Sequence, residues 1–216
     1  MCGRYSITKK KNEIENILDV EFEQDFTENY NIPPASYMPI IYNKNSLKVN
    51  MFRWGLIPYW ARDTSISNNL INARIETIFE KPSFKKAIRR QRCCIIADGY
   101  YEWKKMGKYK QPYYIHFKDS RLFMFGGIWE SWNNRGNIIN SFSIITRKAN
   151  KNLDEIHHRM PVIMDNKLKD MWLSNIDKYK INEITYNNLN DDLTFYAVSQ
   201  SVNSTQNNYR ELINSI

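Results

Sequence analysis

Cysteine, glycine and proline are all scarce in this chain: its 216 residues hold 3, 7 and 7 of them. The cysteines are Cys2, Cys93 and Cys94, and no two form a Cys-x-x-Cys pair, which argues against a zinc site. So low and odd a count suits a reducing compartment rather than a disulfide framework. The shortage of Gly and Pro argues against low-complexity sequence. No apolar run approaches the roughly 18 residues of a membrane-spanning helix, and residues 1–16 are too polar for a signal peptide. What remains is the expectation of a soluble, cytoplasmic, monomeric protein, one domain over residues 1–216, without cofactor, metal or membrane partner.

Aromatic rings and positive charge are what the chain has in quantity. Aromatics make up 14%, with 6 Trp, 14 Tyr and 10 Phe, and Lys+Arg outnumber Asp+Glu by 31 to 23, a net charge of +8. Such a balance favours anionic partners, nucleic acid first among them; a solvated, lysine-rich surface is the plainer explanation.

Neither repeat nor linker is visible. Ile14, Ile17 and Leu18 have helical spacing. Residues 31–39 read as an extended, proline-stiffened segment, and residues 46–52 as a strand. Pro82 can begin a helix that places Phe84, Ala87 and Ile88 on one face. Residues 93–97 form an apolar run that suits a buried strand. Residues 111–118, 122–129 and 140–146 suggest further strands, with Gly107 and Gly126-Gly127 at turns or close approaches. Leu168, Met171 and Trp172 suggest a helix, and residues 193–199 a late strand. Strands in the middle and short helices around them predict an α+β fold with a mainly antiparallel core.

Several residues have chemical potential. Once Met1 is removed, Cys2 presents an α-amine and a thiol on adjacent carbons. The amine can form a Schiff base with an aldehyde, and the thiol can then close a five-membered thiazolidine. The plainer reading is a small buried thiol. In an extended segment residues two apart face the same way, so Asn72 with Arg74, and His157 with Arg159, each pair a polar group with a phosphate-binding fork; ordinary surface arginines are the alternative. Glu102, between Tyr101 and Trp103, suits general acid–base work if burial raises its pKa; otherwise it is a strand-edge carboxylate. His116 has no evident partner and reads as structural. Lys85, Lys86, Arg89, Arg90 and Arg92 suit a solvated helix face. Arg53, Trp54, Trp60 and Arg62 interleave aromatics with charge, as single-strand binders do, although a core can claim both tryptophans.

Five motifs in order resemble the SOS response-associated peptidase (SRAP) family: Met1-Cys-Gly-Arg-Tyr5, Trp54-Gly-Leu-Ile-Pro-Tyr-Trp60, Ile71-Asn-Ala-Arg-Ile-Glu-Thr77, Ala97-Asp-Gly-Tyr-Tyr-Glu-Trp103 and His157-His-Arg-Met-Pro161. The resemblance implies β-sheets closed into a barrel-like core with flanking short helices. It implies a groove for single-stranded DNA and a covalent crosslink to abasic sites in the DNA damage response. Cys2 would be the nucleophile, Asn72 would orient the sugar or the N-terminus, Glu102 would be the acid–base group, and His157 would help form or resolve the imine. Arg74 and Arg159, with help from Arg4, would hold phosphates. Two rival readings use the same residues: a cysteine-dependent peptidase or hydrolase, and a non-catalytic single-stranded DNA-binding module.

Overall fold

The computed structural model describes residues 2–187 and 189–216. Its first half contains β1 (Tyr5–Ile7), α1 (Lys11–Leu18), β2 (Asn29–Ile32), β3 (Tyr37–Asn43), β4 (Leu47–Trp54), β5 (Asn72–Arg74), α2 (Ala87–Arg90), β6 (Arg92–Ala97) and β7 (Gly99–Met106). There follow β8 (Tyr109–Phe117), β9 (Phe123–Asn134), β10 (Asn137–Lys148), α3 (Lys151–Asp154), β11 (Arg159–Pro161), β12 (Ile163–Met164), α4 (Asn166–Leu173), α5 (Lys178–Thr185) and β13 (Leu193–Ala197). The fold is α+β with mainly antiparallel pairing. No helix of the described residues is long and apolar enough to cross a membrane.

A hairpin of β9 and β10, 12 residues each, is the backbone of the molecule. β10 also pairs β4 in parallel, β4 pairs β3, β3 pairs β6, and β6 returns to β9. Five strands thus close into a barrel, which removes their edges. β6 is the apolar run expected at 93–97 and is buried at every position. Its run is continuous rather than alternating because α4 covers its outer side: Trp172 Nε1 donates to the Cys93 carbonyl at 2.9 Å. Gly127 lies inside β9, where an added Cβ would strike the Ile95 side chain of β6 and approach Ser143 O of β10 to 3.0 Å. Glycine there lets three strands close up. Gly107, by contrast, makes the β7–β8 turn at φ +61°.

A second sheet, ordered β13-β8-β7-β1-β2, packs on the barrel. Tyr5 and Tyr100 face each other across β1 and β7, and both meet Phe125 of β9 edge-on, at 5.7 and 5.9 Å. Its other face is covered by the C-terminal segment, with Val198, Val202 and Leu212 against Tyr101 and Tyr114. Two sequence expectations shift. Ile17 is 41% exposed although Ile14 and Leu18 are buried, because one short helix turns only a narrow stripe inward. The helix expected from Pro82 is formed only from Ala87, after a run of turns, yet Phe84, Ala87 and Ile88 are buried as anticipated.

Candidate active site

Cys2 precedes β1 and belongs to the buried core. Its Sγ is 3.9 Å from Arg4 O. Burial pushes the thiol pKa up, and the nearby Glu102 carboxylate pushes it further. The Asn72 amide Nδ2 donates to the Cys2 carbonyl at 2.7 Å. Asn72 is in place because β5 runs parallel to β10, with Asn72 opposite Ile144. The other end of that amide, Oδ1, is buried with no hydrogen-bond partner among the described residues.

Glu102 follows Tyr100 by two on β7, so both point to the same inward side. Only 3% of Glu102 is exposed. Burial pushes its carboxyl up to about 7, against a positive charge at the start of the chain. His157, just before β11, moves the opposite way: burial lowers it to about 4, with that same terminal charge as the next cause. His157 Nδ1 lies 3.0 Å from Arg159 N and 3.2 Å from Arg159 O, so it accepts from the first or donates to the second according to the tautomer. The usual order is inverted: between about pH 4 and 7 the carboxyl is protonated while the imidazole is neutral. Pairs whose environments push their pKa values apart mark acid and base roles. Tyr100 belongs to the same cluster, since Glu102 and Cys2 both oppose its ionisation after burial. The hydroxyls of Tyr100 and Tyr5 are buried without a hydrogen-bond partner among the described residues. With Asn72 Oδ1, they are unused polar capacity close to Cys2.

The three arginines expected to hold phosphates differ. Arg74 is exposed. Arg4 is 9% exposed, and its Nη1 donates to Asn31 Oδ1 at 2.7 Å and Val202 O at 2.9 Å. Arg159 is 8% exposed and grips Glu76 with both Nη atoms, at 2.6 and 2.9 Å, while also donating to Thr146 O at 2.7 Å. Both guanidiniums are engaged by the protein itself. Sequence reasoning missed Glu76, Asn31 and the two buried tyrosines. Glu76 was within reach of the alternation that paired Asn72 with Arg74, since it lies two residues further on. The core claims Trp54, fully buried, whereas Trp60 is 46% exposed. Among the described residues no group of three or more His, Cys, Asp or Glu is placed to hold a metal ion.

The family model described as SOS response associated peptidase (SRAP) matches residues 1–205. A Bacillus subtilis protein named abasic site processing protein YoqW is 39% identical to this chain, with 100% of each covered. Abasic site processing protein YoaM of the same organism is 36% identical, covering 100% of this chain and 98% of its own. Abasic site processing protein HMCES of Pongo abelii is 31% identical over 85% of this chain and 64% of its own. Among crystal structures, a protein of Bacteroides thetaiotaomicron superposes with a TM-score of 0.89 at 29% identity, with 100% of both chains covered.

Proposed function

The chain belongs to the SOS response-associated peptidase family, and from that premise we propose that it recognises abasic sites in single-stranded DNA and links itself to them through Cys2 after Met1 is removed. The observation that carries this reading is the set of groups around Cys2: an amide holding its carbonyl and a buried carboxyl raised to about 7. The names of the relatives, abasic site processing proteins, supply the substrate class.

The chemistry follows from the proton inventory. The α-amine of residue 2, a group that ordinarily titrates at about 7.7–8.0, attacks the aldehyde of the ring-opened sugar and gives a carbinolamine. Protonated Glu102 donates to the departing hydroxyl, water leaves, and an iminium forms. The Glu102 carboxylate then takes the thiol proton as sulfur bonds to the iminium carbon. The thiazolidine closes and Glu102 regains its proton, so amine, thiol and aldehyde yield the ring and one water. Asn72 fixes the backbone that carries both nucleophiles. The neutral His157 offers a hydrogen-bonding edge for the hydroxyl or imine. Arg74 contacts a phosphate, while Arg4 and Arg159 hold β1 and β11 in position.

A thiol hydrolase would want a depressed cysteine pKa beside an imidazolium. Here the thiol is raised and the imidazole lowered, which favours the crosslinking reading. The test is a denaturing gel without reductant, joined to intact mass. Protein freed of Met1 and mixed with abasic single-stranded DNA should give one heat-stable adduct, lighter than the sum of its parts by one water. An N-terminal tag makes the Cys2 nitrogen an amide and should abolish the adduct. A tagged protein that still crosslinks would overturn the reading in favour of thiol-only chemistry.

A further inference from the structure

The basic stretch after Pro82 is more than a solvated face. Ala87 and Ile88 are fully buried against the barrel, which turns Lys85, Lys86, Arg89 and Arg90 outward. No ion pair among the described residues engages any of these four. Lys85 and Lys86 lie in the turn that leads into α2 and Arg89 and Arg90 at its end, so four like charges are gathered on one short exposed segment. Together with Phe79 and Glu80 they line a groove of about 580 Å3. A second, smaller depression of about 290 Å3 continues from it and shares Phe79 and Glu80. That depression reaches Glu76, whose charge is already taken by Arg159 next to His157. Phe79 sits at the junction with cations over its ring, Arg89 at 5.7 Å and Lys178 at 5.1 Å. Glu80 is the carboxylate in the lining of the larger groove, and the buried Glu130 also feels the Lys86 charge.

We propose that this groove carries the single DNA strand as it leaves the reaction site, with its phosphates on Lys85, Arg89 and Arg90 and a base or sugar against Phe79. Unpaired cations tracking a groove around an aromatic platform suit an unstacked single strand, and the shared lining leads from the groove to Glu76, whose partner Arg159 meets His157 Nδ1 with its backbone. The inference rests on the function proposed above, and it extends the footprint to one side of the abasic position.

The triple variant Lys85→Ala, Arg89→Ala, Arg90→Ala tests it, leaving Lys86 on the Tyr59 ring at 3.8 Å. Binding is measured against salt for an abasic oligonucleotide of about five nucleotides and one of about twenty. Each neutralised phosphate on a single strand contributes about 0.7 to the slope of log K against log salt. On the long strand the variant should lose about 2 of that slope. On the short strand it should match the parent in slope and in crosslink yield at saturation. The loss should appear when the strand is extended on one side of the abasic position and not on the other. An equal loss on both lengths, no loss on either, or an equal loss from the distant exposed triple Lys44→Ala, Lys108→Ala, Lys118→Ala would each overturn the proposal. If the parent binds but never crosslinks, the Cys2 chemistry fails while the long-strand slope still decides the groove.

Discussion

All three cysteines are fully buried, and burial pushes each thiol pKa up. Cys93 and Cys94 sit within β6 between Arg92 and Ile95, backed by α4, which puts Trp172 on the Cys93 carbonyl and the charges of Lys169 and Asp170 near Cys94. Cys2 has different company: an amide from β5, a carboxyl from β7 and, just before β11, an imidazole that shares with that carboxyl the charge at the start of the chain. Burial alone therefore does not separate an inert thiol from a reactive one. What separates them is the polar groups delivered by distant strands and, for residue 2, the adjacent amine.

The sharpest break of that comparison is substitution. Cys2→Ala should abolish the heat-stable adduct and leave at most an imine that must be trapped by reduction. Cys2→Ser should lose most of it, because ring closure owes its speed to an intramolecular thiol. Cys93→Ala and Cys94→Ala should crosslink like the parent while losing about 1 kcal/mol of stability to the cavity. Gel assay and thermal melts measure both. Crosslinking that survives in Cys2→Ala but fails in Cys93→Ala would put the chemistry on the wrong thiol.

Next in size is the acid. The amine is reactive only when neutral, so rate rises with pH towards about 8. Glu102 donates only when protonated, so its contribution falls as pH rises through about 7. The product is a bell with its maximum between those values. His157, lowered to about 4, stays neutral across that window and adds no limb there. Glu102→Gln should slow crosslinking by about 10²–10⁴-fold and erase the alkaline fall, leaving a curve that rises to a plateau. Single-turnover rates from about pH 5 to about pH 9, spanning both groups, read this directly, and an unchanged bell in Glu102→Gln would remove that residue from the acid role.

The five motifs are short and local, so Asn72, Glu102 and His157 could be read from the chain as companions of Cys2, though not Tyr5 and Tyr100, and so could β6 and the central strands, whose apolar runs span single elements. The barrel's closure was expected from the family resemblance alone and not from any local pattern. It depends on β4 and β10 pairing in parallel across almost ninety residues, Arg53 with Ser141, and no local pattern reports a pairing partner. β9 also extends to Asn134, well past the apolar run, because its polar end is held by its partner strand rather than by burial. The fates of Arg4 and Arg159 were hidden for the same reason: their acceptors, Asn31 and Glu76, are 27 and 83 residues away.

The two polar-x-Arg pairs show the smallest of these contrasts. Asn72-Ala73-Arg74 and His157-His158-Arg159 have the same spacing, yet Arg74 is exposed and Arg159 is clamped. Arg159→Ala would leave Glu76 without its ion-pair partner and take a side-chain donor from Thr146 O. Breaking a fully buried pair costs about 3–5 kcal/mol, but Glu76 is 40% exposed and can be rehydrated. The expected loss is therefore about 1–3 kcal/mol, seen as a lower melting temperature and, through the backbone contact to His157 Nδ1, as slower crosslinking. Arg74→Ala removes no hydrogen bond or ion pair among the described residues, only the weak field of its charge at Glu76. It should melt with the parent and bind undamaged single-stranded DNA with a salt slope smaller by about 0.7. If Arg159→Ala melts like the parent while flattening the slope as much as Arg74→Ala does, Arg159 releases Glu76 to hold a phosphate, and the two pairs are functionally alike after all.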